Sequence, residues 1–322
     1  MTWGLLSTAR INDAILAGAA ESAEVDVVAV GSRDAARARA YADERGIARA
    51  HGSYEDLLAD GEVDAVYVPL PNSMHVEWSI RALEAGKHVL CEKPLTRSPE
   101  EAEVAFDAAQ QAGRVPAEGF MWRHHPQALR LVELVREGAV GTLRLVRGSF
   151  AFDLSGSPGD VRWSGALAGG ALMDVGCYCV SAVRLLAGEP VAATAMRVEG
   201  GDGVDAVLAG ALRCPGDAIG IVDCAFAGAH RHSLEVVGDE GRIVLADPWH
   251  CVTPGIDLYR DGTPERIEIE PRNPYACELE DLAAAVRGEA PPRFGRADGV
   301  GQARAIAALY RAAAEGRTVP VA

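Results

Sequence analysis

Several short segments of this chain carry side chains able to move a proton or hold an anion. Cys91-Glu92-Lys93-Pro94 sets a cation just after an apolar run, with a proline fixing the backbone beyond it. In Gly169-Gly170-Ala171-Leu172-Met173-Asp174-Val175-Gly176-Cys177-Tyr178, an acid and a phenol stand four residues apart, which sets two side chains on one helix face. A phenol of pKa about 10 becomes a competent proton donor when a cation lowers that value, and Lys93 can be that cation. Taken singly, Tyr178 reads equally as a core aromatic, Asp174 as an N-cap and Lys93 as a surface lysine.

Anion-holding candidates lie nearer the N-terminus. Ser7-Thr8-Ala9-Arg10-Ile11-Asn12 follows the first apolar run, where a dinucleotide fingerprint would read G-x-G-x-x-G. Ser7, Ala9 and Asn12 stand where glycines would, and all three are small enough for the backbone to approach a pyrophosphate. The second apolar run ends in Val30-Gly31-Ser32-Arg33-Asp34. An acid at this point suits a ribose diol, whereas Ser32 and Arg33 suit a 2′-phosphate; alternatively Arg33 is a solvated residue and Asp34 the cap of the next helix. In Pro69-Leu70-Pro71-Asn72-Ser73-Met74-His75, Pro69 stiffens the loop, Asn72 is placed to cap a helix, and His75 falls in its first turn, facing the same edge or simply solvated. Trp122, Arg123, Arg162 and Trp163 can form walls for a sugar, since aromatic faces pack on C–H groups and guanidinium groups donate to hydroxyls; each serves equally well as interdomain packing.

The elements that must position these residues follow two rhythms. Over the first ~118 residues, short Val- and Ala-rich runs alternate with helical patterns, closed by Gly86 and Gly113 and opened by Ser53 and Ser98-Pro99. Such βαβ units predict a doubly wound parallel sheet of Rossmann type, whose ligands lie beyond the C-terminal ends of the strands. After about residue 140, strand-like runs separated by Gly and Asp clusters predict an α+β domain with a large, open, mostly antiparallel sheet. The expected organisation is α/β, with a dinucleotide-binding domain at 1–120 and an α+β substrate and oligomerisation domain at 121–322.

With 46 acidic against 31 basic residues and a net charge of −15, the 322-residue chain lacks the basic surface that nucleic acid or an anionic membrane requires. No apolar run reaches the ~18–20 residues of a membrane span, and Met1-Thr2-Trp3-Gly4 carries no basic leader, so a cytoplasmic protein is expected. The seven cysteines are scattered, and Cys177-Tyr178-Cys179 lacks zinc spacing. Reduced buried thiols and no metal centre are the expectation.

Together these segments resemble the Gfo/Idh/MocA oxidoreductase family. The resemblance rests on Glu92-Lys93-Pro94, on Gly-Gly-x-x-x-Asp-x-Gly-x-Tyr from Gly169 to Tyr178, on Gly119-Phe120-Met121-Trp122-Arg123-His124-His125-Pro126 and on Asn273-Pro274-Tyr275, and it spans nearly the whole chain. The family usually has His four residues after the Asp. Tyr178 in that place is similar to the branch of dimeric dihydrodiol dehydrogenases, NADP-dependent xylose dehydrogenases and deoxysugar 3-ketoreductases. The resemblance implies hydride transfer at a carbinol or carbonyl carbon of a sugar, deoxysugar or cyclic diol. It implies Lys93 and Tyr178 as the acid/base pair, with Asp174 orienting either Lys93 or a substrate hydroxyl. It implies NADP(H) as the preferred cofactor, with NAD(H) possible, held by Ser7, Thr8, Ala9, Arg10, Ile11, Ser32, Arg33, Pro69, Asn72, His75, Glu92 and Lys93. It further implies a homodimer or homotetramer formed through the open sheet. Two other readings remain: an isomerase, lyase or glycosidase that retains the dinucleotide, and a non-catalytic NADP-binding module.

Overall fold

Short runs that are apolar on both sides of a strand require a sheet covered on both faces. In the computed structural model, which describes residues 1–322, these runs build the first of two units, made of residues 1–96, 100–121 and 273–300. Its elements are β1 (Thr2–Leu5), α1 (Asn12–Glu21), β2 (Asp26–Gly31), α2 (Ala35–Arg45), β3 (Arg49–His51), α3 (Tyr54–Leu58), β4 (Ala65–Val68), α4 (His75–Glu84), β5 (His88–Glu92), α5 (Pro99–Ala112) and β6 (Pro116–Gly119). All six strands pair in parallel, in the order β3-β2-β1-β4-β5-β6. The order reverses between β1 and β4, which opens a crevice beyond the strand ends at that point.

The second unit comprises residues 97–99, 122–272 and 301–322. It contains α6 (Pro126–Arg136), β7 (Leu143–Ala151), α7 (Cys177–Ala187), β8 (Ala192–Glu199), β9 (Asp205–Arg213), β10 (Ile219–Ala225), β11 (Arg231–Gly238), β12 (Arg242–Leu245), β13 (Ile256–Arg260) and β14 (Thr263–Ile267). The chain ends with α8 (Pro274–Val286), α9 (Arg296–Glu315) and β15 (Val319–Pro320). The nine-stranded sheet runs β14-β13-β12-β11-β7-β10-β9-β8-β15, and its pairs are antiparallel except β7 with β10. Helix α7 lies against it where the strands carry glycine: a Cβ at Gly148 would sit 2.9 Å from Cys179 Cβ, and one at Gly220 would sit 2.3 Å from a Val183 methyl. The other face stays open, with Met196 80%, Val198 61% and Ile219 45% exposed.

The sequence boundary at 120/121 leaves residues 273–300 in the second domain, whereas the structure assigns them to the first unit. Leu279 and Leu282 of α8 join Trp3, Leu5, Ile15 and Tyr67 in one buried cluster. Burying each leucine stabilises the unit by about 1.5–3 kcal/mol. The approach is close enough that a Cβ at Gly18 of α1 would meet Ala276 N at 2.7 Å. The hairpin β13–β14 is absent from the expected strands, although Asp261 and Gly262, with φ of 51° and 77°, form the two-residue turn that favours it. All seven cysteines are buried and none forms a disulfide. No helix is long and apolar enough to cross a membrane.

Candidate active site

The turn after β1 is closed by a side chain where a fingerprint would have its third glycine. Asn12 is fully buried and its Nδ2 donates to Ser7 O at 2.8 Å, while Ser7 Oγ accepts from Ala9 N at 3.2 Å. The amides of Arg10 and Ile11 donate to no protein acceptor and sit at the positive end of α1. Small side chains at Ser7 and Ala9 leave that backbone open, so the turn fits a pyrophosphate held by Ser7, Thr8, Ala9, Arg10 and Ile11.

At the end of β2, Asp34 Oδ1 accepts from Arg37 N at 3.0 Å and so caps α2. Arg33 and Arg37 are exposed, and both guanidinium charges act on the Tyr54 hydroxyl, whose pKa burial nonetheless raises. With the nearest acid used as a cap and two cations beside buried Ser32, this end of the strand fits a 2′-phosphate. Arg37 was not singled out in the sequence, although its position one helical turn after Arg33 was a signal for it.

Lys93 follows β5, and its backbone is held by the residue before it. Glu92 Oε2 accepts from Lys93 N at 3.2 Å, and Glu92 Oε1 accepts from the fully buried Tyr67 hydroxyl in a short contact. Burial, followed by the Glu92 charge, raises the Tyr67 and Tyr275 hydroxyl pKa values, while Lys93 pulls Tyr275 the other way. The Lys93 ammonium therefore acts on a group of two phenols and two acids, of which Tyr67 and Glu278 are buried and Tyr275 and Glu92 half-buried.

His75 departs from its expected place at the ligand edge. It is 1% exposed, with Nδ1 2.9 Å from Pro94 O and Nε2 2.7 Å from Leu70 O. The two carbonyls favour the imidazolium, but burial outweighs them and pushes the pKa down to about 4. A neutral ring donates to one carbonyl at a time. It thus positions the loop after β4, with Pro69 and Leu70, against the turn after Lys93, and presents no free nitrogen to a ligand. Asn72 also differs from expectation: it opens a 3-10 turn, Asn72–Met74, and α4 starts without a side-chain cap.

In the second unit the glycine pair has a packing cause. Gly170 has φ of 116°, and a Cβ there would lie 2.2 Å from Asp205 Oδ1. A Cβ on Gly169 would lie 2.3 Å from Arg162 O. Asp205 is 1% exposed; Oδ2 accepts from Leu172 N at 2.7 Å and Oδ1 from the Tyr310 hydroxyl at 2.8 Å. Asp205 was missed in the sequence because its partners are 33 and 105 residues away. The helix expected to carry Asp174 and Tyr178 on one face opens instead with a π turn, Leu172–Gly176, before α7. Wide turns of this kind shift the facing of the residues that follow, so the four-residue spacing of Asp174 and Tyr178 spans a change of helix type.

Asp174 has a partner within its own unit. Arg162 Nη1 donates to Asp174 Oδ2 at 3.3 Å, while its Nε and Nη2 bind Asp160 at 2.8 Å each. These acids, Asp160 first, raise the Arg162 pKa against the effect of burial. Tyr178 is 6% exposed and packs against Phe150, with ring centroids 5.5 Å apart, and against Trp249 at 5.9 Å. Trp163 donates its indole N–H to Leu154 O at 3.3 Å and packs edge-on against Phe226. Trp122 and Arg123 are 1% and 3% exposed; Trp122 packs edge to face on Trp249, 5.3 Å away, so the structure gives it a packing role.

A family profile described as an oxidoreductase family with an NAD-binding Rossmann fold matches residues 6–120, and one described as the GFO/IDH/MocA C-terminal domain matches residues 128–244. The chain is 40% identical over 324 residues to D-xylose 1-dehydrogenase (NADP(+)) 2 of Haloferax volcanii, covering 99% of each protein. It is similar to the aldose–aldose oxidoreductase of Caulobacter crescentus, crystallised with glycerol, with a TM-score of 0.92, 30% identity and 99% of both chains covered. It is similar also to a 3-ketoreductase of Actinomadura kijaniata in complex with NADP and TDP-benzene, with a TM-score of 0.89, 30% identity and 97% of both chains covered.

Glu278 generates a prediction for stability. It is 2% exposed, its Oε1 has no hydrogen-bond partner, and burial followed by the Glu92 charge raises its pKa well above the usual carboxylate value. A carboxyl raised in the folded state favours folding while protonated and opposes it as pH climbs above the unfolded pKa of about 4.3. Glu278→Gln should therefore stabilise the protein at pH 8, with a gain that disappears below about pH 4; the slope between the two pKa values is about 1.4 kcal/mol per pH unit. Urea unfolding at a series of pH values reads this, and a parent protein that gains on the Gln variant as pH rises would contradict it.

Proposed function

The chain belongs to the Gfo/Idh/MocA oxidoreductase family, and from that membership we propose that it is an NADP(H)-dependent dehydrogenase or reductase acting at a hydroxyl- or carbonyl-bearing carbon of a sugar, deoxysugar or cyclic diol. What carries the reading is end-to-end likeness to an NADP(+)-dependent xylose dehydrogenase, in a chain that keeps Lys93, Asp174 and Tyr178 in their motifs. An aldose or aldose derivative is the substrate class this supports best.

When bound, the nicotinamide supplies the hydride donor or acceptor. The Ser7–Ile11 turn holds the pyrophosphate, Ser32, Arg33 and Arg37 hold the 2′-phosphate, and Pro69 and Glu92 line the same strand ends. In the reductive direction Tyr178 gives its hydroxyl proton to the substrate oxygen, and Lys93 supplies the positive charge that stabilises the developing alkoxide. In oxidation the phenolate recovers that proton. Asp174, braced by Arg162, is a positioning residue for a substrate hydroxyl. Arg162 and Trp163 serve as substrate-binding residues, with the nearly fully buried Trp122 and Arg123 in supporting roles.

Likeness to an aldose–aldose oxidoreductase favours one second reading, in which the dinucleotide stays bound and shuttles hydride between two sugars. We assign the protein to the cytoplasm, where seven buried thiols outside any disulfide stay reduced. A second copy of the chain docks on the open sheet face around Met196, Val198 and Ile219, giving a homodimer or homotetramer.

Two substitutions test the assignments, read by reduced-nicotinamide absorbance on a panel of aldoses, deoxysugars and cyclic diols. Tyr178→Phe should lower kcat by ~10²-fold or more while leaving NADPH affinity within a few-fold, and near-full turnover would remove Tyr178 from the proton step. Arg33→Ala should weaken NADPH at least about tenfold and NADH hardly at all, since one charge-assisted phosphate contact is lost. Equal weakening of both cofactors would refute the 2′-phosphate role.

A further inference from the structure

Beside the aromatic group around Tyr178 lies a cluster of ligating side chains that the proposed redox chemistry does not use. His232, the second residue of β11, pairs with Phe150 of β7, and Asp247 and His250 lie on the loop after β12. One ligand atom from each of the three lies within 4.8 Å of the others. Phe150 touches both imidazoles, with centroids 6.4 Å from His232 and 5.4 Å from His250, as well as Tyr178.

The carboxylate of Asp247 is built in place and only half used. Its Oδ2 accepts from Val252 N at 2.7 Å and Thr253 N at 3.0 Å. The loop is pinned by Gln127, which donates to Asp247 O at 3.0 Å and accepts from Gly255 N at 2.7 Å, and by Trp249, whose Nε1 donates to Ser149 O at 3.1 Å. Asp247 is 6% exposed, yet its Oδ1 has no hydrogen-bond partner, and neither does His232 Nδ1 at 4.0 Å from it. A carboxylate oxygen and an imidazole nitrogen left buried, facing each other and unpaired, carry a desolvation cost that a shared cation would remove.

We propose that His232 Nδ1, Asp247 Oδ1 and a ring nitrogen of His250 form a binding site for a divalent transition-metal ion of the zinc class. Two imidazoles and one carboxylate are the donor set that zinc, cobalt and nickel prefer over magnesium or calcium. Bonds of about 2.0–2.2 Å in a tetrahedron place ligand atoms roughly 3.3–3.6 Å apart, so His232 and Asp247 close by well under 1 Å. Three protein ligands leave a fourth position for water or a ligand oxygen. Neither the motif spacing nor the cysteines signalled this site, because its ligands come from a strand and a loop joined only by the fold. The site stands independently of the cofactor and substrate assignments.

The test is a titration of tag-free, chelator-treated protein with Co2+, followed by visible absorption, with Zn2+ competition against a chromophoric chelator. One saturable equivalent is expected, without a thiolate charge-transfer band. His250→Ala, at an exposed position, and Asp247→Asn, which keeps an acceptor for the Val252 and Thr253 amides, should each weaken the metal at least about tenfold. Absence of saturable binding, a thiolate band, or His250→Ala affinity within about twofold of the parent's would overturn the proposal.

Discussion

A carboxylate half-buried at the end of a parallel strand loses part of its water, and protein donors must replace that water at both oxygens. Glu92 meets that constraint with Tyr67 on one oxygen and the Lys93 amide on the other. The placement of Lys93 in the first unit depends on this arrangement. It fixes the backbone from which Lys93 departs, and His75 then holds the following turn against the loop after β4. Tyr275 and Glu278 extend the group from α8, a helix far along the chain that returns to close the first unit's core.

The second unit solves a similar problem with Asp205. Its carboxylate reaches the Leu172 amide at the start of the wide turn carrying Asp174, and only glycine at 170 leaves room for it. Arg162 then spans Asp160 and Asp174. In each unit the side chains assigned to chemistry lie beside a polar contact that joins segments distant in the chain, Tyr67 with Glu92 in the first and Leu172 with Asp205 in the second. Sites built this way gain precision from satisfied neighbours.

How much of this was legible in the sequence follows from the range of the forces. Alternating strand and helix patterns, caps such as Asp34 and Ser53, and stops such as Gly86 and Gly113 are local, and they predicted a doubly wound parallel sheet followed by an antiparallel one. The segments Glu92-Lys93-Pro94 and Gly169 to Tyr178 were visible for the same reason, as was the end of β2. What stayed hidden is long-range. The membership of α8 in the first unit depends on Leu279 meeting Trp3 and Leu5, a contact that no local pattern encodes. His75 looked like a first-turn residue facing the ligand edge, or simply solvated, whereas in the structure two carbonyls close around it. Asn12 looked like a departure from a glycine fingerprint, and the structure shows it doing the turn's closing by hydrogen bond. In the hairpin β13–β14 only β13 alternates, with Ile256 and Leu258 buried, while the exposed β14 lacks that pattern, so the Asp261-Gly262 turn passed unread.

The central claim is that these positioned groups serve direct hydride transfer between a sugar carbon and an exchangeable NADP. The most direct measurement is to incubate the enzyme with NADP+ and an aldose deuterated at C1, such as D-xylose, and to weigh the free cofactor by mass spectrometry. The account predicts that the reduced cofactor released into solution carries one deuterium per turnover. Label appearing in water, or remaining in the sugar while no reduced cofactor is released, would contradict it.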